Sequence, residues 1–257
     1  RLNSGDRPYG SRRYAYVTPD FVLGSFQTDT DKQFMPARGW DHTIQNGLSF
    51  APLPQARITW GGQEDKRSSG HIDVFQHRGA VIASKACHPS QDLDLVLPAD
   101  GILDHLAEEN GWLFIREGNT YAAAKSTVDG NTLIIEAAQS HEYQGDWAEF
   151  KARMCDTELQ VGDDFVEYTT LCGDVMYFPT IEGEHTCRWS CNCTPTDDNL
   201  PRINGTPVDW GAYPLFSSEY VNSEWDSGLI RVSFNGRLLV LDFRDPANPI
   251  KTEIGPG

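Results

Sequence analysis

The sequence predicts an all-β fold of packed antiparallel sheets, a β-sandwich or supersandwich, with one or two short helices. Short runs of alternating, β-branched and aromatic residues recur along the 257-residue chain, separated by Gly, Asp, Asn and Pro. Asp-Gly and Asn-Gly pairs, which favour tight hairpin turns, lie between several of these runs. Helical periodicity is scarce. We interpret residues 1–257 as a single β-sandwich-like domain.

The first predicted strand lies in "RRYAYVTPDFVLGSFQ", residues 12 to 27. Alternation places Tyr14, Tyr16 and Thr18 on one side of an extended segment. Tyrosines on a polar side favour an exposed rim, and Pro19 indicates an edge or a bend because proline cannot donate to a ladder. We therefore expect this segment at the rim of a sheet.

Further strands follow at short intervals. The runs "ARITW" (56–60), "HIDVFQH" (71–77), "AVIASKA" (80–86) and "LDLVLP" (93–98) have strand-like composition. Residues 111–139 contain three more runs, joined by "EGN" and by a turn at Asp129-Gly130. The clearest hairpin is "GLIRVSFNGRLLVLDF", in which Asn235-Gly236 favours a type I′ turn.

Two segments have helical features. In "EYQGDWAEFKARMCD", Trp147, Phe150 and Met154 lie on one apolar face, and this predicts a short surface helix over about 145 to 154. In "ADGILDHLAEENG" (99–111), apolar residues followed by Gly111 predict one or two further helical turns.

Composition excludes several classes of function. The 37 acidic and 21 basic residues give a formal charge of -16, which repels nucleic acids and anionic membranes. No apolar run approaches the roughly 20 residues that cross a bilayer. Motifs for nucleotide binding and metalloproteases are missing from the sequence, so no cofactor or metal is expected, although a structural calcium ion is left open. The first residues, "RLNSGDRPYG", suggest a processed or excised segment.

The cysteines and sequons favour a secreted, oxidised glycoprotein. Cys187, Cys191 and Cys193 lie close together in "CRWSCNC" and are the disulfide candidates, whereas their spacing does not fit a zinc ribbon. Asn192 and Asn204 begin Asn-x-Thr sequons and are the glycosylation candidates. Chance sequons and buried thiols are the simpler alternative.

Two loop segments carry the candidate binding residues. Arg38, Trp40 and His42 are compressed into one loop, where an arginine, an aromatic ring and a titratable imidazole suit an acidic sugar. Trp210 and Tyr220 belong to an aromatic, Pro- and Ser-rich stretch that suits a surface groove. The alternative is that Trp40 fills a small core and that the charged neighbours pair locally.

A family resemblance follows from the order of several segments. The N-terminal "RRYAYVTPDFVLGSFQ", then "IDVFQHRGAVIAS", "GWLFIREGNTYAAA" and "GDWAEFKARM" leading into "YTTLCGDVMYF", resemble the β-rich C-terminal portion of heparinase II/III-like polysaccharide lyases. The resemblance implies that a helical toroid domain is the partner in a longer enzyme. It also implies β-elimination on uronate-containing polysaccharides, with tyrosine and histidine as acid and base and a group that neutralises the substrate carboxylate.

Nearness in the sequence suggests which residues have these roles. Arg13 or Arg38 would neutralise the carboxylate, and His42, Tyr14 or Tyr16 would transfer the proton. We therefore expect the β-domain of a secreted lyase whose partner is an acidic polysaccharide or oligosaccharide. A non-catalytic carbohydrate-binding or docking module is the alternative.

Overall fold

The computed structural model describes residues 12–27, 46–51, 57–60, 73–85, 93–99, 101–180, 200–208, 216–224 and 227–255. The fold is all-β, as the sequence predicts, and its strands form three packed sheets. In chain order the strands are β1 (Arg12–Val17), β2 (Phe21–Gln27), β3 (Gly47–Phe50), β4 (Arg57–Trp60), β5 (Asp73–His77), β6 (Ala80–Ser84), β7 (Leu95–Val96), β8 (His105–Glu109), β9 (Trp112–Glu117), β10 (Thr120–Ser126), β11 (Thr132–Gln139), β12 (Leu159–Val161), β13 (Phe165–Thr169), β14 (Val175–Pro179), β15 (Arg202–Ile203), β16 (Thr206–Pro207), β17 (Phe216–Ser217), β18 (Val221–Ser223), β19 (Leu229–Phe234), β20 (Arg237–Asp242) and β21 (Ile250–Ile254). A 3₁₀ helix, η1 (Ser140–Tyr143), and one α-helix, α1 (Trp147–Cys155), follow β11.

Sheet A has ten strands in the order β21-β20-β19-β18-β17-β1-β2-β3-β4-β7, sheet B has the order β5-β6-β11-β10-β9-β8, and sheet C runs from β12 to β16. Neighbouring strands are antiparallel except β1 and β17, which pair in parallel with Ala15 opposite Phe216. The N-terminal strand therefore meets the first strand of the C-terminal group β17 to β21 in the middle of sheet A.

The expectation that β1 forms an exposed rim is wrong. It lies inside sheet A with β17 on one side and β2 on the other. Tyr14 is only 4% exposed, and Thr18 is buried in the turn before β2. Pro19 causes no break in the ladder because it lies in that turn, after the strand has ended.

Sheet B is the middle layer. All eight residues of β11 are buried, since both faces of the strand are covered. Leu133, Ile135 and Ala137 pack in a cluster with sheet A, while Ile134 and Ala138 pack in a second cluster with sheet C and α1. This alternation places successive side chains in two different cores.

The helix predicted over about 145 to 154 is confirmed as α1. The Asp146 side chain accepts hydrogen bonds from the backbone N–H groups of Ala148 and Glu149 and so caps the helix. Phe150 and Met154 are fully buried against sheets B and C.

One local prediction is wrong. The stretch expected to be helical contains strand β8 (His105–Glu109) instead, because Asn110 and Gly111 adopt positive φ values of 53° and 76° and reverse the chain into β9. The predicted turn at Asp129-Gly130 does join β10 to β11, as part of a longer loop in which Gly130 has φ 68° and Asp129 accepts hydrogen bonds from Thr127 and Asn131. By contrast, Asn235 and Gly236 form the expected tight turn, with φ values of 49° and 73°.

Candidate functional site

A polar cleft of about 310 Å³ lies where the three sheets meet. Its walls come from β1, the β5–β6 turn, β11, η1, α1 and the turn after β13. The residues that line it are Tyr16, His77, Arg78, Gly79, Glu136, Ala137, Ala138, Glu142, Tyr143, Arg153, Thr170, Leu171 and Cys172. Polar side chains predominate, so the cleft differs in chemistry from the two apolar cores that flank sheet B.

The β5–β6 turn projects an arginine into this cleft. His77 pairs with Ala80, leaving Arg78 and Gly79 as the turn. A Cβ at Gly79 would lie 2.4 Å from the carbonyl oxygen of Ala137, so only glycine fits there. Arg78 takes the left-handed backbone conformation, φ 50°, which is strained for a residue with a side chain.

Tyrosines of β1 hold this turn from below. The Tyr14 hydroxyl accepts a hydrogen bond from the Arg78 backbone N–H at 3.1 Å. The Arg78 side chain is hydrogen-bonded to the hydroxyl of Tyr16, which lines the cleft. Burial raises the pKa of both phenols. Tyr16 therefore remains a neutral hydrogen-bond donor at physiological pH.

Glu136 is the buried carboxyl group of the cleft. It is 3% exposed, and its oxygens accept hydrogen bonds from the Tyr168 hydroxyl at 2.5 Å and the Leu171 N–H at 3.0 Å. Burial raises the pKa of Glu136 to about 7, although the bond from Tyr168 opposes the shift. A carboxyl with this pKa can accept and release a proton near neutrality.

A second arginine, on helix α1, also lines the cleft. The guanidinium carbon of Arg153 stands 5.1 Å from the centre of the Tyr143 ring, and its Nη2 lies 3.5 Å from the carbonyl oxygen of Leu171. Both Arg78 and Arg153 are exposed. The Glu142 carboxylate is already engaged, because it accepts the Gln139 backbone N–H at 2.9 Å.

A chain of hydrogen bonds fixes the histidine that lines the cleft. His77 Nε2 lies 2.9 Å from Asp174 Oδ2, and Asn204 Nδ2 donates to Asp174 Oδ1 at 2.8 Å. The bonds from Asn204 and His77 lower the pKa of Asp174. Asp174 therefore stays ionised and holds the His77 ring in one orientation.

Cys172 contributes an exposed thiol with little nucleophilic character. Desolvation raises its pKa, and the nearby Arg78 only partly offsets this effect. Cys172 and Cys155 are the free thiols of the described ranges. In these same ranges no group of His, Cys, Asp and Glu side chains could hold a metal ion.

Few of the residues that the sequence singled out can be compared with this cleft. Tyr16 lines it, Tyr14 lies beneath it, and Tyr220 is half-buried beside Gln139 on sheet A. Arg13 lies on β1 opposite Phe26, and its side chain is outside the described part. Outside the described residues altogether lie Arg38, Trp40, His42, Cys187, Cys191, Asn192, Cys193 and Trp210.

Asn204, the other sequon residue, is in a tight turn. It has φ 52°, and Gly205 follows with φ 76° between β15 and β16. Its Nδ2, the atom that a glycan would modify, donates to Asp174, and its Oδ1 accepts the Val175 N–H. Glycosylation at Asn204 stays a prediction.

Sequence reasoning missed the two arginines and the buried glutamate. Glu136 lies in "LIIEAA", where one acid interrupts an otherwise apolar run, and this was an available signal. The Arg-Gly order in "QHRGAV" was another, because a two-residue turn that places glycine second leaves arginine in the strained position. Arg153 had no such signal, since a charged residue on an amphipathic helix is ordinary.

The fold and the cleft together define an all-β protein with a polar, arginine-lined cleft between three sheets. No protein-family model matches the chain, and no curated protein matches it. Within the described ranges, no helix is long and apolar enough to cross a membrane.

Proposed function

We propose that the cleft binds an acidic sugar, as a uronate unit of a polysaccharide or oligosaccharide. The observation that carries the proposal is the pair of exposed guanidinium groups that line the cleft, Arg78 beside Tyr16 and Arg153 beside Tyr143. Guanidinium groups bind carboxylates through two parallel hydrogen bonds, and aromatic rings stack against sugar faces.

The charge within the cleft allows an acidic sugar to bind although the protein as a whole is acidic. The formal charge of -16 repels an anionic polymer, but the carboxyl groups of the cleft are already hydrogen-bonded within the protein. Glu136, with a pKa of about 7, carries only part of a negative charge at neutral pH. Among the residues that line the cleft, the two arginines therefore outweigh the Glu142 carboxylate and the partial charge of Glu136.

The strain at Arg78 supports a binding role. A left-handed arginine costs about 1 to 2 kcal/mol, and such strain persists where the surrounding structure imposes it. Here Tyr14 holds the backbone and Gly79 packs against β11, so the Arg78 side chain is displayed in a fixed direction. A preorganised cation binds with less loss of side-chain freedom.

A second candidate function is β-elimination, and the pKa of Glu136 favours it. Glu136 would take the proton at C5 of the uronate, the electrons would form the C4–C5 double bond, and the C4–O bond would break. The neutral Tyr16 phenol would protonate the leaving oxygen. A helical toroid partner and secretion stay predictions from the sequence resemblance and the cysteine pattern.

Calorimetry with a short oligogalacturonate and its methyl ester tests binding. The ester keeps the sugar rings and removes the charge, so we expect it to bind at least about tenfold more weakly, since a charge-assisted hydrogen bond contributes about 1.5 to 3 kcal/mol. Arg78→Ala and Arg153→Ala should weaken binding of the acid, whereas Arg231→Ala, an exposed arginine of β19, should not. Equal affinity for acid and ester would contradict the proposal.

The absorbance of unsaturated uronates separates the two functions. If the chain is a lyase, Glu136→Gln and Tyr16→Phe should lower turnover by about 10²- to 10⁴-fold, the usual effect of losing a general acid or base. Binding without any increase in absorbance would identify a carbohydrate-binding module. Incubation with a glucuronate polymer and an uncharged glucan in parallel defines the class of acid.

A further inference from the structure

The last three strands, β19 to β21, form what we call the C-terminal meander, which extends sheet A beyond β18. Every residue of β21 is exposed, including Ile250 at 60% and Ile254 at 57%. Among the described residues, β21 pairs only with β20. In the part of the chain that the structure describes, one backbone edge of this strand is therefore unpaired and open to a partner.

The hydrogen-bond register identifies the groups on that edge. The Phe243 N–H donates to the Gly228 carbonyl at 2.7 Å, on the side of β20 that faces β19. The direction of the backbone N–H and C=O groups alternates from one residue to the next along a strand. The groups of Val240, and of every second residue counted from it, therefore point to β21, where Val240 pairs with Thr252. The N–H and C=O groups of Lys251 and Glu253 therefore point outward.

The sequence of this edge is complementary to itself. In "IKTEI", residues 250–254, an antiparallel pairing centred on Thr252 places Lys251 of each copy opposite Glu253 of the other. The same pairing places Ile250 opposite Ile254. Lys251 and Glu253 share one face of β21, where they already form an ion pair at 2.5 Å.

We propose that two copies of this chain associate through antiparallel pairing of their β21 strands. Natural edge strands are usually protected by a charge that repels a second copy, most often lysine. Here the lysine has a matching glutamate, so a second copy meets opposite charges and open backbone groups in the correct register. The pairing also covers the exposed isoleucines. It joins the two copies of sheet A into one continuous sheet.

Analytical ultracentrifugation of the full chain tests this proposal. A single strand pair is a small interface, so we expect a reversible dimer whose fraction rises over roughly 1 to 500 μM. Lys251→Glu gives an edge with two carboxylates, and Glu253→Lys gives an edge with two ammonium groups. Each should weaken self-association about tenfold or more, because like charges directly opposite each other are destabilising.

Two combinations make the test specific. The double exchange, Lys251→Glu with Glu253→Lys, preserves complementarity and should restore the dimer. An equimolar mixture of the two single variants should form heterodimers. Glu108→Lys makes the same charge change on β8, the edge strand of sheet B, and should leave association unchanged. Circular dichroism verifies that each variant is folded.

Three outcomes would overturn the proposal. A wild-type chain that stays monomeric over the whole range would do so. So would single variants that dimerise as well as wild type, which would assign the interface elsewhere. A double exchange that fails to restore association in a folded protein would show that charge pairing across β21 is not the basis of the contact.

Discussion

At Arg78 we expect the usual order of stability of glycine and alanine variants to be reversed. Its φ of 50° costs a residue with a Cβ roughly 1 to 2 kcal/mol, and glycine avoids this cost. Elsewhere in regular structure, glycine is about 0.5 to 1 kcal/mol less stable than alanine because it loses more backbone entropy. We therefore expect Arg78→Gly to be more stable than Arg78→Ala by about 0.5 to 1 kcal/mol.

Comparison of the two Arg78 variants with wild type separates the effect on stability from the effect on sugar binding. Both variants lose the hydrogen bond between the Arg78 side chain and Tyr16, which contributes about 0.5 to 1.5 kcal/mol. Arg78→Ala should therefore unfold about 1 kcal/mol more easily than wild type. Arg78→Gly should be close to wild type, because relief of strain offsets the lost bond. Both variants should lose affinity for the acidic sugar.

Urea denaturation followed by tryptophan fluorescence measures these differences. The slopes against urea must agree among variants for the free energies to be comparable. Arg231→Gly and Arg231→Ala, on an exposed position of β19 without positive φ, are the matched controls and should show the ordinary order, with alanine more stable. If Arg78→Ala is as stable as Arg78→Gly, the strain argument is wrong.

Three further predictions concern other parts of the cleft and its supports. The raised pKa of Glu136, about 7 instead of 4.5, means that the folded state binds this proton more tightly, so stability falls as pH rises between those values. The stability of Glu136→Gln relative to wild type should therefore rise by up to about 3 kcal/mol from a urea titration below that pH range to one above it. A difference in stability that does not change with pH would refute the raised pKa. Asp146→Ala should lower the free energy of unfolding by about 1 kcal/mol, because it removes the cap of α1. Asp146→Asn should keep most of this stability, as measured by thermal unfolding. Gly79→Ala should cost about 1 to 3 kcal/mol in urea, because its Cβ would meet Ala137; a loss within error would show that the turn moves freely.

The sequence predicts strands well where local chemistry and tertiary packing agree. The tight turn at Asn235-Gly236 needs two positive φ values, which these residues adopt most easily. The helix α1 has both an apolar face and an aspartate cap. In these two places the local sequence pattern alone is sufficient to predict the structure.

The errors occur where a nonlocal contact or a two-residue turn decides the structure. Leu103 and Leu106 have helical spacing, but Asn110-Gly111 returns the chain onto β9 and makes the segment a strand. Tyr14 and Tyr16 suggest a polar rim when the local sequence alone is read. The strand that covers this side of β1 is β17, which is about 200 residues away in the chain. Alternation within a strand does not show which strands flank it.

The candidate site is less predictable than the fold for the same reason. Arg78, Glu136 and Arg153 come from separate segments, and each is ordinary in its own sequence context. Only their approach in the cleft gives them a shared chemistry. Tyr16 is the sequence candidate that lines this cleft, and its hydroxyl contacts the Arg78 side chain.

The parallel pairing of β1 with β17 has a consequence for synthesis on the ribosome. Ser218 donates a hydrogen bond to the Val17 carbonyl across 201 residues of sequence, so one side of β1 lacks its neighbour until about 200 further residues have emerged. Contacts of such long range form slowly, and an unpaired strand can bind other nascent chains. A chain cut before residue 216 would keep that edge open permanently, so it should aggregate even though sheets B and C are intact.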